Sequence, residues 1–290
     1  MPRSNRDEPF IARYQGQRVA LLTQHGKETL LGPLLHAGIG CLVERVSGFD
    51  TDQLGSFTRE IPRDGSQLDA ARRKARIGMA LANCSLGLAS EGAFGPDPFT
   101  GLLVWNTEIV VWIDDEQALE LVGYADGPAR AEQRAVGDLA ALREFARAAD
   151  FPAHHLVLRA DSADAPPAWK GLADAATLER AFVETQAQSR SGQVWVENDL
   201  RAHTNPTRQA VICKAGSELL ALMASACPDC SSPGFRLLDY VRGLPCAWCR
   251  QPTREVVAEI WSCQRCAHQE RRERQGPTAA PPERCGNCNP

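Results

Sequence analysis

The stretch "RVALLTQHGKETLLGPLLHAGIGCLVERV", residues 18–46, decides the fold. Its apolar residues 19–22 end in Thr23 and a polar turn, apolar positions then recur at helical spacing, and a second apolar run closes the segment. The pattern reads strand, loop, helix, strand, the repeat from which layered α/β folds are built.

The alternation continues downstream. Ser66 is the expected N-cap of a helix reaching Leu81, with Asp69 standing in for the Glu of a capping box. A short strand "LGLAS" (86–90) leads into an irregular loop around Glu91, "GLASEGAFGPDP" (87–98), and "LLVWNTEIVVWIDD" (102–115) reads as one or two strands. A helix at about 137–149, a strand "HHLVLRA" (154–160), a Pro/Ala-rich loop at 161–168 and a helix at about 174–188 follow. A further strand then precedes a long helix with Thr204 or Asn205 as N-cap and Pro206 at its first position. The expected fold is α/β, a mixed sheet with flanking helices, followed by a small C-terminal zinc-ribbon-like module. Residues 14–200 would form the body, 201–226 a connecting helix, and 227–290 the module.

The 290 residues are 43% apolar and 23% charged, enough to bury a core without help. No window approaches a membrane span, and the polar start "MPRSNRDEPFIARYQGQR" lacks the apolar region of a signal peptide. The expected location is therefore cytoplasmic, with no membrane partner. Residues 201–290 hold 12 Lys and Arg against 8 Asp and Glu, whereas residues 1–200 hold 20 against 28. An acidic body argues against a nucleic-acid surface over the whole protein and leaves a local one open in the tail.

Of eleven cysteines, eight form four CxxC pairs: Cys227/Cys230, Cys246/Cys249, Cys263/Cys266 and Cys285/Cys288. Each CxxC supplies two thiolates from one tight turn, so four pairs make two tetrahedral sites, expected to hold two structural Zn²⁺. Spacing leaves the partnership open between sequential pairing, first with second and third with fourth, and nested pairing, first with fourth and second with third. "FRLLDYV" and "EVVAEIW" read as short strands between the pairs. The tail's arginines, among them Arg250, Arg254, Arg265, Arg271, Arg272 and Arg274, with Trp248 and Trp261 for stacking, offer a nucleic-acid surface. The other reading is a cap that stabilises the body.

Polar residues gather at strand ends in the body, where open α/β sheets bind ligands. Thr23, His25 and Lys27 follow the first strand in a Gly-containing turn into a helix, a setting suited to phosphate. Asp50 and Asp52 offer carboxylates to a divalent ion such as Mg²⁺ or Mn²⁺. Arg72 and Lys74 lie on the following helix, Ser90 and Glu91 end the next strand, and Glu108 and Asp114 flank the one after. Arg201, Asn205 and Arg208 stand at the start of the long helix, where unpaired amides favour an anion. In this scheme Glu91, Asp50 and Asp52 bind metal or orient water, and Thr23, His25, Lys27, Arg72, Lys74, Ser90, Arg201, Asn205 and Arg208 hold an anionic substrate.

The order of these clusters over residues 18–115 resembles the house-cleaning nucleoside triphosphate pyrophosphatases of the inosine/xanthosine triphosphatase-like group. The resemblance implies phosphate binding at Thr23 and Lys27, a Lys-Ala pair at Lys74 and Ala75, and a metal and base site at Ser90, Glu91 and Gly92. His25 stands where that group often has Asn, and the group's paired acids at the third loop are missing. Over nearly the full length, "DTDQLGSF", "ASEGAFGP", "LRAHTNPTR" and "GLPCAWCRQPT" resemble an uncharacterised bacterial family, a domain of unknown function with a C-terminal cysteine-rich module. Two functions follow as expectations. One is a metal-dependent nucleotide phosphohydrolase with a structural zinc module; the other is a non-catalytic nucleic-acid- or protein-binding zinc-ribbon protein whose body senses a ligand.

Overall fold

The computed structural model describes residues 10–51 and 65–290. They fall into two compact units, Tyr14–Leu220 and residues 221–290 with residues 10–13.

The larger unit begins as its opening sequence predicts, with β1 (Arg18–Leu22), α1 (Glu28–Ile39) and β2 (Leu42–Val46), the two strands pairing in parallel. Helix α2 (Gln67–Ala82) starts at a complete capping box, the Ser66 hydroxyl accepting from the Asp69 N–H and the Asp69 carboxylate from the Ser66 N–H. It leads into β3 (Leu86–Pro96), parallel to β1, after which β4 (Val104–Asp114) and β5 (Leu119–Pro128) add on antiparallel. The result is a mixed sheet of order β2-β1-β3-β4-β5.

The loop expected after Glu91 is strand instead. β3 and β4 stay paired from Leu86 opposite Asp114 to Pro96 opposite Val104. Among the described residues β1 pairs with β3 at Gly87 and Leu88, and Pro96 is the last residue of β3, where the chain turns away from the ladder. The turn comes later, where the Asp97 carboxylate accepts from the N–H groups of Leu103, Thr100, Phe99 and Leu102 and from the Thr100 hydroxyl. These bonds, Leu103's first, hold the Asp97 carboxyl well below the usual range.

One face of the sheet packs against α2, whose Ala71, Ala75 and Met79 meet Ala89, Ile109, Val111 and Ile113. The other face receives α5 (Pro206–Ala224): a Cβ on Gly123 would strike the Ala215 carbonyl and the Leu219 N–H, so this glycine in β5 permits the helix backbone to approach. Trp112 is fully buried on β4, with Tyr14 edge-on at 4.9 Å between ring centroids. Burying a large apolar side chain of this kind stabilises by roughly 1.5–3 kcal/mol.

A second sheet, not expected from the sequence, follows in the same unit. β6 (Gln133–Val136), β7 (Leu156–Ala160), β8 (Pro167–Leu172) and β9 (Val194–Asn198) pair antiparallel in the order β6-β9-β7-β8. Helices α3 (Leu139–Ala148) and α4 (Ala175–Gln188), capped by Asp138 and Asp174, bury Leu142, Phe145, Leu178 and Phe182 against Leu156, Leu158, Val194 and Val196.

In the smaller unit β10 (Arg236–Arg242), β11 (Val256–Ser262) and β12 (Gln269–Glu273) form an antiparallel meander. The first two are the strands expected there; β12 is additional. Among the described residues no helix is long and apolar enough to cross a membrane.

Candidate functional site

Strand β1 leads through α1 to β2 on one side and, after α2, is flanked by β3 on the other, so the strand order reverses between β1 and β3. Ligands of open α/β sheets bind in the crevice at such a reversal, beyond the carboxyl ends of the strands. Lys27 lies there. It is buried, and its Nζ donates to the Ser90 carbonyl at 2.6 Å and to the Ser90 hydroxyl at 3.3 Å.

An ion pair stands on each face of the sheet beside it. Glu91 faces α2 and is paired with Lys74, both largely buried. Glu108, two residues beyond Asn106 on β4, faces α5, where its Oε1 accepts from the Arg208 Nε at 2.7 Å. Arg208 also donates to the Leu200 carbonyl at 2.6 Å, and its own N–H is capped by the Asn205 side chain at 3.0 Å. Gly92 lies opposite Glu108 in the β3–β4 register, and a Cβ on it would collide with Glu108 Oε1 and Arg208 Nη2. The pair thus occupies the space a side chain would fill. Removing one member of a buried pair of this kind costs about 3–5 kcal/mol. Burial pushes the Lys27 amine down from the ordinary 10.5 to about 7; Arg208 pushes the same way, and Glu108 and Glu91 partly offset both.

The structure therefore gathers Lys27, Lys74, Ser90, Glu91 and Arg208 from four separate stretches. Thr23 is buried in the same loop, its hydroxyl accepting from the His25 N–H at 3.4 Å, and the His25 ring stacks on His203 with centroids 5.5 Å apart. Two expected anion-holding residues serve other partners. Arg72 forks onto Glu120 of β5, at 3.0 Å from Nε and 2.6 Å from Nη2. Arg201 folds back onto the buried Asp199, Nε at 3.0 Å. Asn205 is the helix cap, with its Nδ2 on the Arg130 carbonyl at 3.0 Å. Asp50 is exposed, and Asp52 lies outside the described residues. Sequence reasoning left Glu108 as an acid flanking a strand; the signal that marks it is a charge inside a run of buried residues, two positions from Val110 on the same face.

Among the described residues, the groups of three or more potential metal ligands are two cysteine tetrads: Cys227, Cys230, Cys263 and Cys266, and Cys246, Cys249, Cys285 and Cys288. The pairing is neither sequential nor nested. First joins third, and second joins fourth, because each strand of the meander carries the chain from one end of the sheet to the other. The first CxxC precedes β10 and the third follows β11, and Arg236 pairs with Ser262 at that end. The second lies beyond Arg242, and the chain leaving β12 reaches it through Ala280, which bridges Cys246. Sulfur separations of 3.7 and 3.6 Å in one tetrad and 3.8 and 3.6 Å in the other match the edge of about 3.8 Å that a tetrahedron with metal–sulfur bonds of about 2.3 Å requires. They exceed a disulfide bond of about 2.05 Å. Backbone N–H groups of Trp248 and Arg265 point at Cys246 and Cys263 sulfurs, at 3.4 and 3.3 Å. A backbone bond at Gln251, foremost, lowers the Cys249 thiol to about 6, while its hydrogen bond with Cys249 pushes Cys288 up to about 12. Each tetrad could hold one metal ion.

Four of the nine arginines in residues 227–290 are answered by acids of the same unit: Arg271 by Glu273, Arg272 by Glu270, Arg274 and Arg284 by Glu255. Arg272 also lies over the Trp261 ring at 4.3 Å.

A family model described as a domain of unknown function, DUF6671, matches residues 74–290. The chain belongs to the DUF6671 family. The stretch this DUF6671 protein shares with the model includes Lys74, Glu91, Glu108, Arg208 and all eight paired cysteines, whereas Lys27 precedes it. No curated protein and no solved structure matches the chain.

Proposed function

We propose that the larger unit binds and hydrolyses a phosphate-bearing nucleotide at the β1/β3 crevice, and that each cysteine tetrad holds a structural Zn²⁺. The observation that carries the first part is Lys27, a buried amine at the reversal of strand order with an ion pair on either side. A cation in that position is costly alone and is stabilised by an anion. Lys27, Lys74 and Arg208 stand beside the carboxylates Glu91 and Glu108, and a phosphoryl oxygen arriving in the crevice would favour the charged form of the Lys27 amine. The order of phosphate loop, Lys-Ala helix and acidic strand keeps the likeness to the inosine/xanthosine triphosphatase-like group as part of this reading. Glu91, with Asp50, would orient water or contribute a ligand to Mg²⁺ or Mn²⁺ brought in on the nucleotide's own phosphates.

Thiolate-only tetrads with edges of this length suit zinc, and eight unbridged thiols suit a reducing compartment such as the cytoplasm. Acids interleaved among the tail's arginines favour the cap over a nucleic-acid surface, since counterion-driven binding needs unopposed cations.

The test is purified protein with Mg²⁺ or Mn²⁺ against a panel of nucleoside triphosphates, beside Lys27→Met and Glu91→Gln, with metal content measured on the same sample. Release of phosphate or pyrophosphate that both variants lose, with two zinc ions per chain, is the expected result. Turnover absent from every nucleotide overturns the hydrolase; no zinc overturns the module.

A further inference from the structure

Two polar side chains beside the ion pairs have atoms that nothing in the described structure satisfies. Asn106 and Glu108 are 1% and 0% exposed, and as alternate residues of β4 they lie on the same face. Among the described residues, Asn106 Oδ1, Asn106 Nδ2 and Glu108 Oε2 have no hydrogen-bond partner. Buried polar atoms are nearly always paired, so three orphans on two neighbouring side chains call for a partner. The aromatic ring of Phe94 lies opposite Asn106 in the β3–β4 register, and the Arg208 guanidinium sits 5.7 Å from that ring's centre. An aromatic face thus neighbours the orphaned atoms.

The orphans have a definite hydrogen-bonding sense. Glu108 Oε2 and Asn106 Oδ1 accept, and Asn106 Nδ2 donates. A complementary ligand edge presents two N–H donors and one acceptor. A 2-amino-6-oxopurine has that set, with N1–H and the 2-amino group as donors and O6 as acceptor. A 6-aminopurine edge offers one donating group beside a ring acceptor, and leaves a Glu108 or Asn106 oxygen unmet.

We propose that Asn106 and Glu108 form the base-reading wall of the site, selecting a guanine-type edge. The proposal deepens the nucleotide reading and rests on it for the position of the phosphates. Glu108 then has two tasks: one oxygen fixes Arg208, and the other accepts from the base. Discrimination by buried hydrogen-bonding groups is strong, because the wrong base leaves them unpaired.

The experiment is calorimetric binding of four probes, guanosine, adenosine, inosine and pyrophosphate, to the full chain and to Asn106→Leu and Glu108→Gln. Retained zinc content and an unchanged circular dichroism spectrum show that each variant folds. The expected result is guanosine at least tenfold tighter than adenosine, inosine intermediate through loss of the 2-amino contact, and a guanosine preference reduced to about onefold in Asn106→Leu with pyrophosphate binding kept. Equal binding of the three nucleosides, or a preference that survives Asn106→Leu, overturns the base-reading wall. Pyrophosphate bound without base preference leaves the phosphate site standing and removes this one. Guanosine bound without pyrophosphate does the reverse. Binding of none of the four removes both.

Discussion

Lys27 concentrates the chemistry of the larger unit in one amine. An amine lowered to about 7 by burial is charged in the unfolded chain and neutral in the folded one between pH 7 and the ordinary 10.5. The unfolded state then binds more protons, so this residue makes stability rise with pH across that window and level off below it. Lys27→Met removes the proton while keeping the chain length. The rise between pH 7 and 10 in urea-unfolding free energy should be smaller in the variant than in the wild type, and the variant should gain most at pH 7 or below. An equal slope in both would mean that Lys27 keeps its proton when folded. Much of this cluster was legible, because Lys27, Lys74, Ser90, Glu91 and Arg208 are polar residues set in or beside apolar strand and helix patterns. Arg72 and Arg201 each engage a carboxylate: Glu120 is brought to Arg72 by tertiary pairing, whereas Asp199 is two residues from Arg201 and was visible in the sequence.

At the scale of elements, the meander dictates which cysteines form each tetrad. Cys227→Ser and Cys263→Ser should each reduce zinc from two per chain to one, and the two together should still leave one. Cys227→Ser with Cys246→Ser should leave none. Zinc counted by mass spectrometry under native conditions separates these outcomes, and a double variant Cys227→Ser/Cys263→Ser holding no zinc would refute the interleaved pairing. Loop lengths alone could not reveal it, since each closure is sterically reasonable; counting strands between the pairs does. β12, "QERRE", escaped notice because alternating charges carry no apolar face. β3 was cut short in the reading because Gly92, Gly95 and Pro96 are poor strand formers, whereas eleven register pairs with β4 override that local preference.

For the whole molecule, the division into an α/β part and a cysteine part was legible from composition, because the paired cysteines begin at Cys227 and the strand–helix alternation precedes them. The second sheet was not. Its outer strand β8 begins with Pro167 in a stretch that reads as loop, and proline costs nothing at a sheet edge where its missing N–H faces no partner. β6 is four residues long and depends on β9, more than fifty residues on, for its hydrogen bonds. Such strands are set by pairing across the fold, and no local window contains the partner.

The interleaved tetrads also change what a broken chain would do. With metals joining first to third and second to fourth CxxC, any single cut between Cys230 and Cys285 leaves fragments still lashed together by at least one ion, and a cut between Cys249 and Cys263 leaves them lashed by both. Sequential pairing would let that last cut free one half from the other. A protein nicked by protease between β10 and β11 should therefore migrate as one particle on gel filtration and part only when a chelator is added; separation without chelator would contradict the pairing. With both tetrads loaded, the cysteine module would be a splice that tolerates a severed strand, its integrity answering to metal supply before the continuity of the backbone.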